Sequence, residues 1–314
     1  MKKWLVIILV ILVCFIAFVY FFIPNTMLIS QDISIKANRE GLYRNLSDEK
    51  NWGKWWPGDK TAQTGSTNND LLYNNDVYSI EDRTTLSIIV LIHTSQEVKT
   101  ELTIVSKNID SSELIWQASV PTTYNPLKRL KIYFKTKKIR NDIAALLKKM
   151  QSFFSETKNV YGYDIRHELV KDSTLVSTYS ESKSYPSTEF IYDLIDQLKK
   201  YISSNAATET GFPMLNINRK DSINYVTRVA IPVDKKLPTS GNISYKWMLG
   251  GGNIFVVDVQ GGPFSINKAF EQLENYVQDH RRTPPAIPFQ SLVTDRRKVA
   301  DTSKWVTRIY YPVM

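Results

Sequence analysis

Along this chain the period of apolar and polar positions changes several times, and each change marks an element. Trp4 to Ile23 shows no alternation: it is one unbroken apolar run without a charge. At about 1.5 Å of rise per residue, a helix of that length spans the roughly 30 Å hydrocarbon core of a bilayer. A cleaved signal peptide is the rival reading, but its apolar region covers about 7–15 residues and closes on small side chains. This run closes on Tyr20-Phe21-Phe22-Ile23-Pro24. Lys2 and Lys3 before the span favour a cytoplasmic N-terminus and place Pro24 onward outside the cytoplasm, while Lys36 and Arg39 weigh the other way.

Beyond the span, Ile33 and Ile35 alternate as in a short strand, and Arg39 to Leu46 reads as a helix. Four β-like runs follow, at Val77–Thr84, Leu86–Thr94, Glu97–Lys107 and Glu113–Val120, separated by polar residues as in an antiparallel meander. The period then lengthens. Ile139, Ile143, Leu146, Leu147, Met150, Phe153 and Phe154 form one stripe of a helix from about Thr136 to Thr157. A strand, a helix, a meander and a long amphipathic helix predict an α+β unit whose curved sheet wraps the helix.

After a break at Lys158 to Gly162, Asp164 to Val170 reads as a strand. Ser187 to Ser203 reads as a helix burying Phe190, Ile191, Leu194, Ile195, Leu198 and Ile202, and Asn205 to Gly211 interrupts it. Strands are predicted at Tyr225–Val233, Ile243–Gly250, Asn253–Gln260 and Trp305–Val313, with a second helix at Pro263–His280. Gly250-Gly251-Gly252 has no Lys-Ser/Thr pair or helix start after it, so it reads as a hairpin or bulge and not as a phosphate cradle.

Within this half the chain repeats itself. Val226-Thr227-Arg228-Val229-Ala230-Ile231-Pro232-Val233 returns near the C-terminus as Val306-Thr307-Arg308-Ile309-Tyr310-Tyr311-Pro312-Val313. Pro186 and Pro263 each precede a helix, and Phe212-Pro213-Met214 is echoed by Ile287-Pro288-Phe289. The three intervals are nearly equal. Three landmarks in one order at similar spacing indicate a duplicated unit: helix, Pro-containing strand, Thr-Arg strand. The predicted layout is an anchor over residues 1–27, a domain over 28–158 and a duplicated domain over 160–314.

Composition narrows the chemistry. The formal charge of +9 is concentrated: Lys128 to Lys149 holds nine basic residues and one acid, Asp142. A helix with a solvated basic face, or one that meets anionic lipid headgroups near the anchor, accounts for it better than a nucleic-acid surface. Cys14 is the single cysteine and lies in the span, so no intrachain disulfide forms. His93, His167 and His280 show no ligand spacing, and no cofactor or metal is expected. Trp52-Gly53-Lys54-Trp55-Trp56-Pro57-Gly58 gathers three tryptophans in one short stretch, either as a plug at one end of a core or as the entrance of an apolar cavity.

Two family resemblances bear on function. Ile33 to Asp48, followed by Asn51-Trp52 and Trp55-Trp56-Pro57, resembles the opening of the START-like (SRPBCC, polyketide cyclase-like) superfamily, and Asn125-Pro126-Leu127-Lys128-Arg129 with the helix after it resembles its ending. That resemblance covers roughly residues 28–158 and implies a helix-grip fold around an apolar cavity, without naming a ligand. Residues 160–314 resemble a GyrI-like effector-binding domain through Gly261-Gly262-Pro263-Phe264, Pro288-Phe289-Gln290-Ser291-Leu292-Val293-Thr294-Asp295 and the closing Trp305 to Val313. This second resemblance implies two related α+β halves around a cleft for small, often aromatic or cationic, molecules. A glutamate usual in that family stands where this chain has Arg308, so the chain departs from the pattern at the cleft floor.

The resulting expectation is a membrane-anchored, non-catalytic protein with small-molecule pockets in both soluble domains, its partners being an apolar or amphipathic ligand and the membrane itself. Trp52, Trp55 and Trp56 are expected at the first pocket. In the second, Arg308 and Tyr310 share a strand face by alternation. The resemblance implies that this is the cleft side and that the repeat partner Arg228 approaches the same cleft from the other half, with Tyr245 and Trp247 as candidate aromatic walls. The alternative is that each arginine pairs with a nearby Asp or Glu at the rim. Two guanidinium groups there favour a carboxylate-bearing ligand. The alternatives are a hydrolase of small reactive electrophiles, with Glu181 or Glu189 as the acid, and an interaction module with filled pockets.

Overall fold

A computed structural model describes residues 2–58, 70–94, 97–171, 173–248 and 250–314. Of the polar loop expected at Thr64–Asp76, residues 64–69 lie outside the described residues, and Leu71–Tyr73 forms a short strand. The chain divides into two units, Met1–Val160 and Tyr161–Met314.

The first unit opens with helix α1 (Lys2–Phe22), most of whose apolar side chains are exposed, Trp4 at 74 % and Phe21 at 85 %, while Val19 near its end is buried. Strand β1 (Thr26–Ile35) follows, then α2 (Arg39–Leu46), capped by Asn38, and the single turn α3 (Glu49–Trp52), capped by Asp48. Strands β2 (Leu71–Tyr73), β3 (Asp76–Arg83), β4 (Ser87–His93), β5 (Glu97–Asn108) and β6 (Ser111–Pro121) complete an antiparallel sheet in the order β1-β6-β5-β4-β3-β2. The first strand therefore closes on the last. Helix α4 (Pro126–Phe154) buries Ile139, Ile143, Leu146, Leu147, Met150 and Phe154. It begins well before the point where its apolar stripe becomes legible, because Asn125 accepts from the Leu127 and Lys128 amides and Pro126 occupies the first turn. The short helix α5 (Thr157–Tyr161) ends at the unit boundary.

The second unit is an eight-stranded antiparallel sheet with two helices. Its elements are β7 (Arg166–Leu169), β8 (Ser173–Ser182), α6 (Thr188–Ser204), β9 (Met214–Arg219), β10 (Tyr225–Val233), β11 (Ser244–Met248), β12 (Asn253–Gln260), α7 (Pro263–Asp279), β13 (Phe289–Leu292) and β14 (Val306–Val313). The strand order β11-β8-β10-β9-β13-β14-β12-β7 reads the same from either end once each element of one repeat is exchanged for its counterpart in the other. The edge strands are exchanged: β7 precedes the first repeat but pairs with β12 of the second, and β11 pairs with β8.

Each repeat has its own core. One gathers Ile191, Ile195 and Leu198 of α6 over Val176, Leu215, Val229 and Ile231; the other gathers Ile266, Ala269 and Leu273 of α7 over Val257, Val259 and Ile309. In β10 and β14 alternate residues face these cores, which leaves Arg228, Arg308 and Tyr310 on the opposite, helix-free face. Both units mix helix with curled antiparallel sheet, an α+β architecture.

Candidate functional site

In the first unit the three tryptophans are brought together and buried, Trp52 at 1 %, Trp55 at 4 % and Trp56 at 8 %. Their rings pack on one another at centroid distances of 5.3–5.6 Å, and Trp56 also meets Tyr78 at 5.2 Å and Tyr73 at 6.2 Å. Trp55 meets Phe154 at 6.3 Å. Two of the indole donors are tied to backbone carbonyls, Trp52 to Leu46 at 2.6 Å and Trp56 to Leu72 at 3.0 Å. Gly58 closes this turn against β2, where a Cβ would overlap the Leu72 carbonyl oxygen.

Among the described residues, two polar atoms of the cluster have no hydrogen-bond partner, the Trp55 Nε1 and the Tyr78 hydroxyl. Burial, followed by repulsion from Asp142 and then Asp76, raises the Tyr78 phenol far above its ordinary value and keeps it neutral. Those two carboxylates share Lys138, at 2.6 Å from Asp76 and 2.9 Å from Asp142, and Asn74 donates to Asp142 at 2.7 Å. The lone acid of the basic stretch thus has an internal duty. An open hollow of this unit, about 390 Å³, lies on the outer face of the sheet beside Leu28, Ile89, Lys99, Glu101 and Gln117, away from the tryptophans.

In the second unit, pairing fixes what shares the helix-free face. Tyr179, Arg228 and Asn216 lie opposite one another across β8, β10 and β9. One step along, Ala230, Met214, Ser291, Arg308 and Asp258 form a second row across the sheet. Arg228 and Arg308 therefore share a face but stand three strands apart, about 14 Å at the usual strand spacing. Phe289 and Tyr310 stack between them, with centroids 5.0 Å apart at 18°.

The duplicated arginines have different neighbours. Arg308 donates from Nε to Asp258 at 2.6 Å, and Arg166 reaches the other oxygen of the same carboxylate at 2.8 Å. The hydrogen bond to Asp258, then that to Tyr310, raises the Arg308 pKa further. For Asp258, burial opposes ionisation, but the bonds from Arg308 and Arg166 outweigh it and its pKa is lowered. The place of Asp258 across from Arg308 is taken, across from Arg228, by Tyr179. Among the described residues Arg228 meets no carboxylate at ion-pair distance, and its polar contact is a long 3.4 Å bond to Asn216 Oδ1. Beside it is an open hollow of about 470 Å³ lined by Tyr179, Glu181, Asn218, Lys220, Val226 and Arg228.

Of the two ways open to Arg308, a ligand contact or a nearby acid, the side chain takes the second here, pairing with Asp258 across the ladder. Tyr245 and Trp247 are displaced from their expected place. Register sets them opposite Val176 and Thr174, on the face that carries Ile231 and Val233, and therefore not on the Arg228 face. Side chains two apart on one strand agree in face, but the face of a strand relative to another depends on a register that spacing does not reveal. Lys236 covers the Tyr245 ring at 5.0 Å, and Trp247 is 60 % exposed. Of the two acids considered for a hydrolase, Glu181 is bound by Lys220 at 2.9 Å and Glu189 belongs to the first turn of α6.

Tyr179, Asn218 and Lys220 were not singled out by sequence reasoning. Tyr179 sits in β8, whose run of Ser and Thr carries few apolar positions to mark a strand.

No protein-family model matches the chain, and no curated protein matches it. Among solved structures, the C-terminal domain of EcmrR is similar over 48 % of this chain and 98 % of its own, at 17 % identity and a TM-score of 0.42. SAV2435, solved bound to tetraphenylphosphonium, is similar over 48 % of this chain and 94 % of its own, at 12 % identity and a TM-score of 0.31. The di-domain ARO/CYC BexL of the BE-7585A biosynthetic pathway is similar over 92 % of this chain and 85 % of its own, at 10 % identity and a TM-score of 0.34. Likeness at this level assigns neither ligand nor reaction to this chain.

Proposed function

We propose that this chain is a membrane-anchored, non-catalytic protein that binds a small anionic, amphipathic molecule on the Arg228 side of its second unit. The observation that carries this reading is the contrast between duplicated positions: Arg308 is neutralised by Asp258, while Arg228 borders a hollow of about 470 Å³ with an exposed tyrosine in place of the carboxylate. Glu181 and Lys220 offset each other there, so one positive charge is left for a ligand. A guanidinium fork takes a carboxylate through two parallel bonds, and the ring of Tyr179 with Val226 offers apolar contact.

The six-strand order in which β1 pairs with β6, packed by α4, supports a START-like unit over residues 28–158, and the palindromic strand order with two helices on one face supports a GyrI-like unit over 160–314. The exposed apolar length of α1 supports anchoring, and Lys2-Lys3 supports an extracytoplasmic position for both units. In the first unit, the unpartnered Trp55 Nε1 and Tyr78 hydroxyl favour a second reading, a small polar guest inside the aromatic cluster.

Fluorescence titration with pyrenebutyrate, and with a pyrene carrying a trimethylammonium group instead, tests the main reading. The wild type is expected to prefer the carboxylate, and Arg228→Glu to reverse that preference. Equal binding of both probes, or the same preference in the variant, would sink the assignment to Arg228; binding of neither would leave this face as an interaction surface.

A further inference from the structure

The end of α1 is not a loose tether. The guanidinium of Arg129, itself 3 % exposed, donates from Nε to the Ile23 carbonyl at 2.9 Å and from a terminal nitrogen to Asn25 Oδ1 at 3.0 Å. It also lies over the Tyr20 ring at 5.0 Å. Thr122 holds the carbonyls of Pro24 and Asn25 at 2.8 and 2.9 Å, the Tyr20 hydroxyl donates to the Tyr124 carbonyl, and Val19, Ile23 and Met27 pack with Leu130 and Tyr133. The first turns of α4 are therefore fixed beside the last turn of α1.

What those turns present outward is unusual for a water-facing helix. Leu127 is 64 % exposed, Phe134 61 % and, just before the helix, Tyr124 90 %. Leu127, Lys131 and Phe134 are spaced i, i+4, i+7 and share one stripe. Lys128, Lys131 and Lys137 are exposed around it, and among the described residues no carboxylate pairs with any of them. Apolar and aromatic side chains ringed by unpaired lysines match the boundary between acyl chains and anionic headgroups.

We infer that this flank of α4, from Tyr124 to Lys137, is a bilayer-interface surface: Leu127, Phe134 and Tyr124 enter the acyl boundary and the lysines take anionic phospholipid headgroups. The inference rests on α1 spanning the membrane, because the residues clamped to Tyr20 and Ile23 are then held at the depth where the span leaves hydrocarbon. Its effect is to hold the first unit in one orientation on the membrane, where a bare tether would let it tumble.

The test uses the full chain in vesicles, with Cys14→Ser and one introduced cysteine carrying an NBD fluorophore, at Leu127→Cys, Phe134→Cys or Leu86→Cys. Leu86, 60 % exposed, bonds to Ile104 in the row of Ile33, far along β1 from Thr26. At the usual rise per strand residue that is roughly 23 Å from the clamped end. Vesicles of phosphatidylcholine, with or without phosphatidylglycerol, contain a lipid that carries a nitroxide near the headgroup. Most of the emission is expected to be lost at 127 and 134 and little at 86, with deeper quenching when phosphatidylglycerol is present. Lys128→Glu with Lys131→Glu should abolish that increment. Unquenched probes at 127 and 134 on a chain that resists alkaline extraction would overturn the surface and leave the anchor standing, as would equal quenching at all three positions. Quenching indifferent to phosphatidylglycerol would overturn the role of the lysines. A chain released by alkali would overturn the anchor and the surface together.

Discussion

Two aromatic-rich regions of this protein have opposite fates. The tryptophans of the first unit face inward and meet Tyr73, Tyr78 and Phe154, so ring-on-ring packing consumes their surface. Tyr179 of the second unit stands 55 % exposed on a sheet face that no helix covers, beside a guanidinium that no carboxylate among the described residues neutralises. Aromatic density in the sequence thus does not separate rings that pack on one another from rings that are presented on an open face. The duplication sharpens the point, since Arg228 and Arg308 occupy equivalent strand positions and the residue across the ladder decides which is available.

The largest expected effect separates the two regions outright. Trp52→Ala should cost about 3–5 kcal/mol of stability through its cavity and lost hydrogen bond, whereas Tyr179→Ala should stay within about 0.5 kcal/mol. Urea unfolding of both variants checks this, and similar losses would erase the distinction between packed and presented rings. Next, Tyr179→Asp copies the Asp258 arrangement onto the first repeat. Loss of a charge-assisted bond worth about 1.5–3 kcal/mol should weaken pyrenebutyrate binding roughly 10- to 100-fold, with little change in thermal midpoint; unchanged affinity would show that the charge balance at Arg228 is not what matters.

A third variant asks whether the packed region is complete. Tyr78→Phe removes a buried hydroxyl that has no partner among the described residues, and should stabilise the first unit by about 1–3 kcal/mol. Destabilisation in a thermal melt would mean that a polar guest uses that hydroxyl. The smallest effect concerns Asp258. Its folded pKa is lowered, so its contribution is complete above the unfolded carboxylate value of about 3.9 and is lost as pH falls through the folded value. Because the pair is more than a third exposed, Asp258→Asn should cost under about 1 kcal/mol at neutral pH. It should also flatten the acid limb of the stability curve below pH ~4. An acid limb identical to wild type would remove the claim that Arg308 is held by that carboxylate.

Much of the architecture was legible in the sequence because it rests on period and punctuation. The uncharged run that forms α1, the stripe from Ile139 to Phe154 and the returning Thr-Arg strand each depend on residues near one another in the chain. The start of α4 at Pro126 was less visible, since its first turns bury Arg129 and Ile132 against few apolar neighbours and are held by an asparagine cap. Strand β8 was missed because Ser and Thr dominate it. Tyr245 and Trp247 were assigned to the wrong face because β11 joins β8, a strand that had not been read.

By itself the sequence determined an apolar helix, two α+β units, an internal duplication and arginines at equivalent strand positions. Those are local or periodic properties, and covalent order carries them. Which arginine is neutralised, whether three tryptophans line a space or fill it, and which residues flank the end of α1 were decided only by tertiary structure. Each depends on register and packing between residues such as Arg308 and Asp258, 50 positions apart, or Arg129 and Ile23, 106 apart. Such pairings are selected by the burial of a whole sheet face, a sum over many side chains that no short stretch of sequence contains.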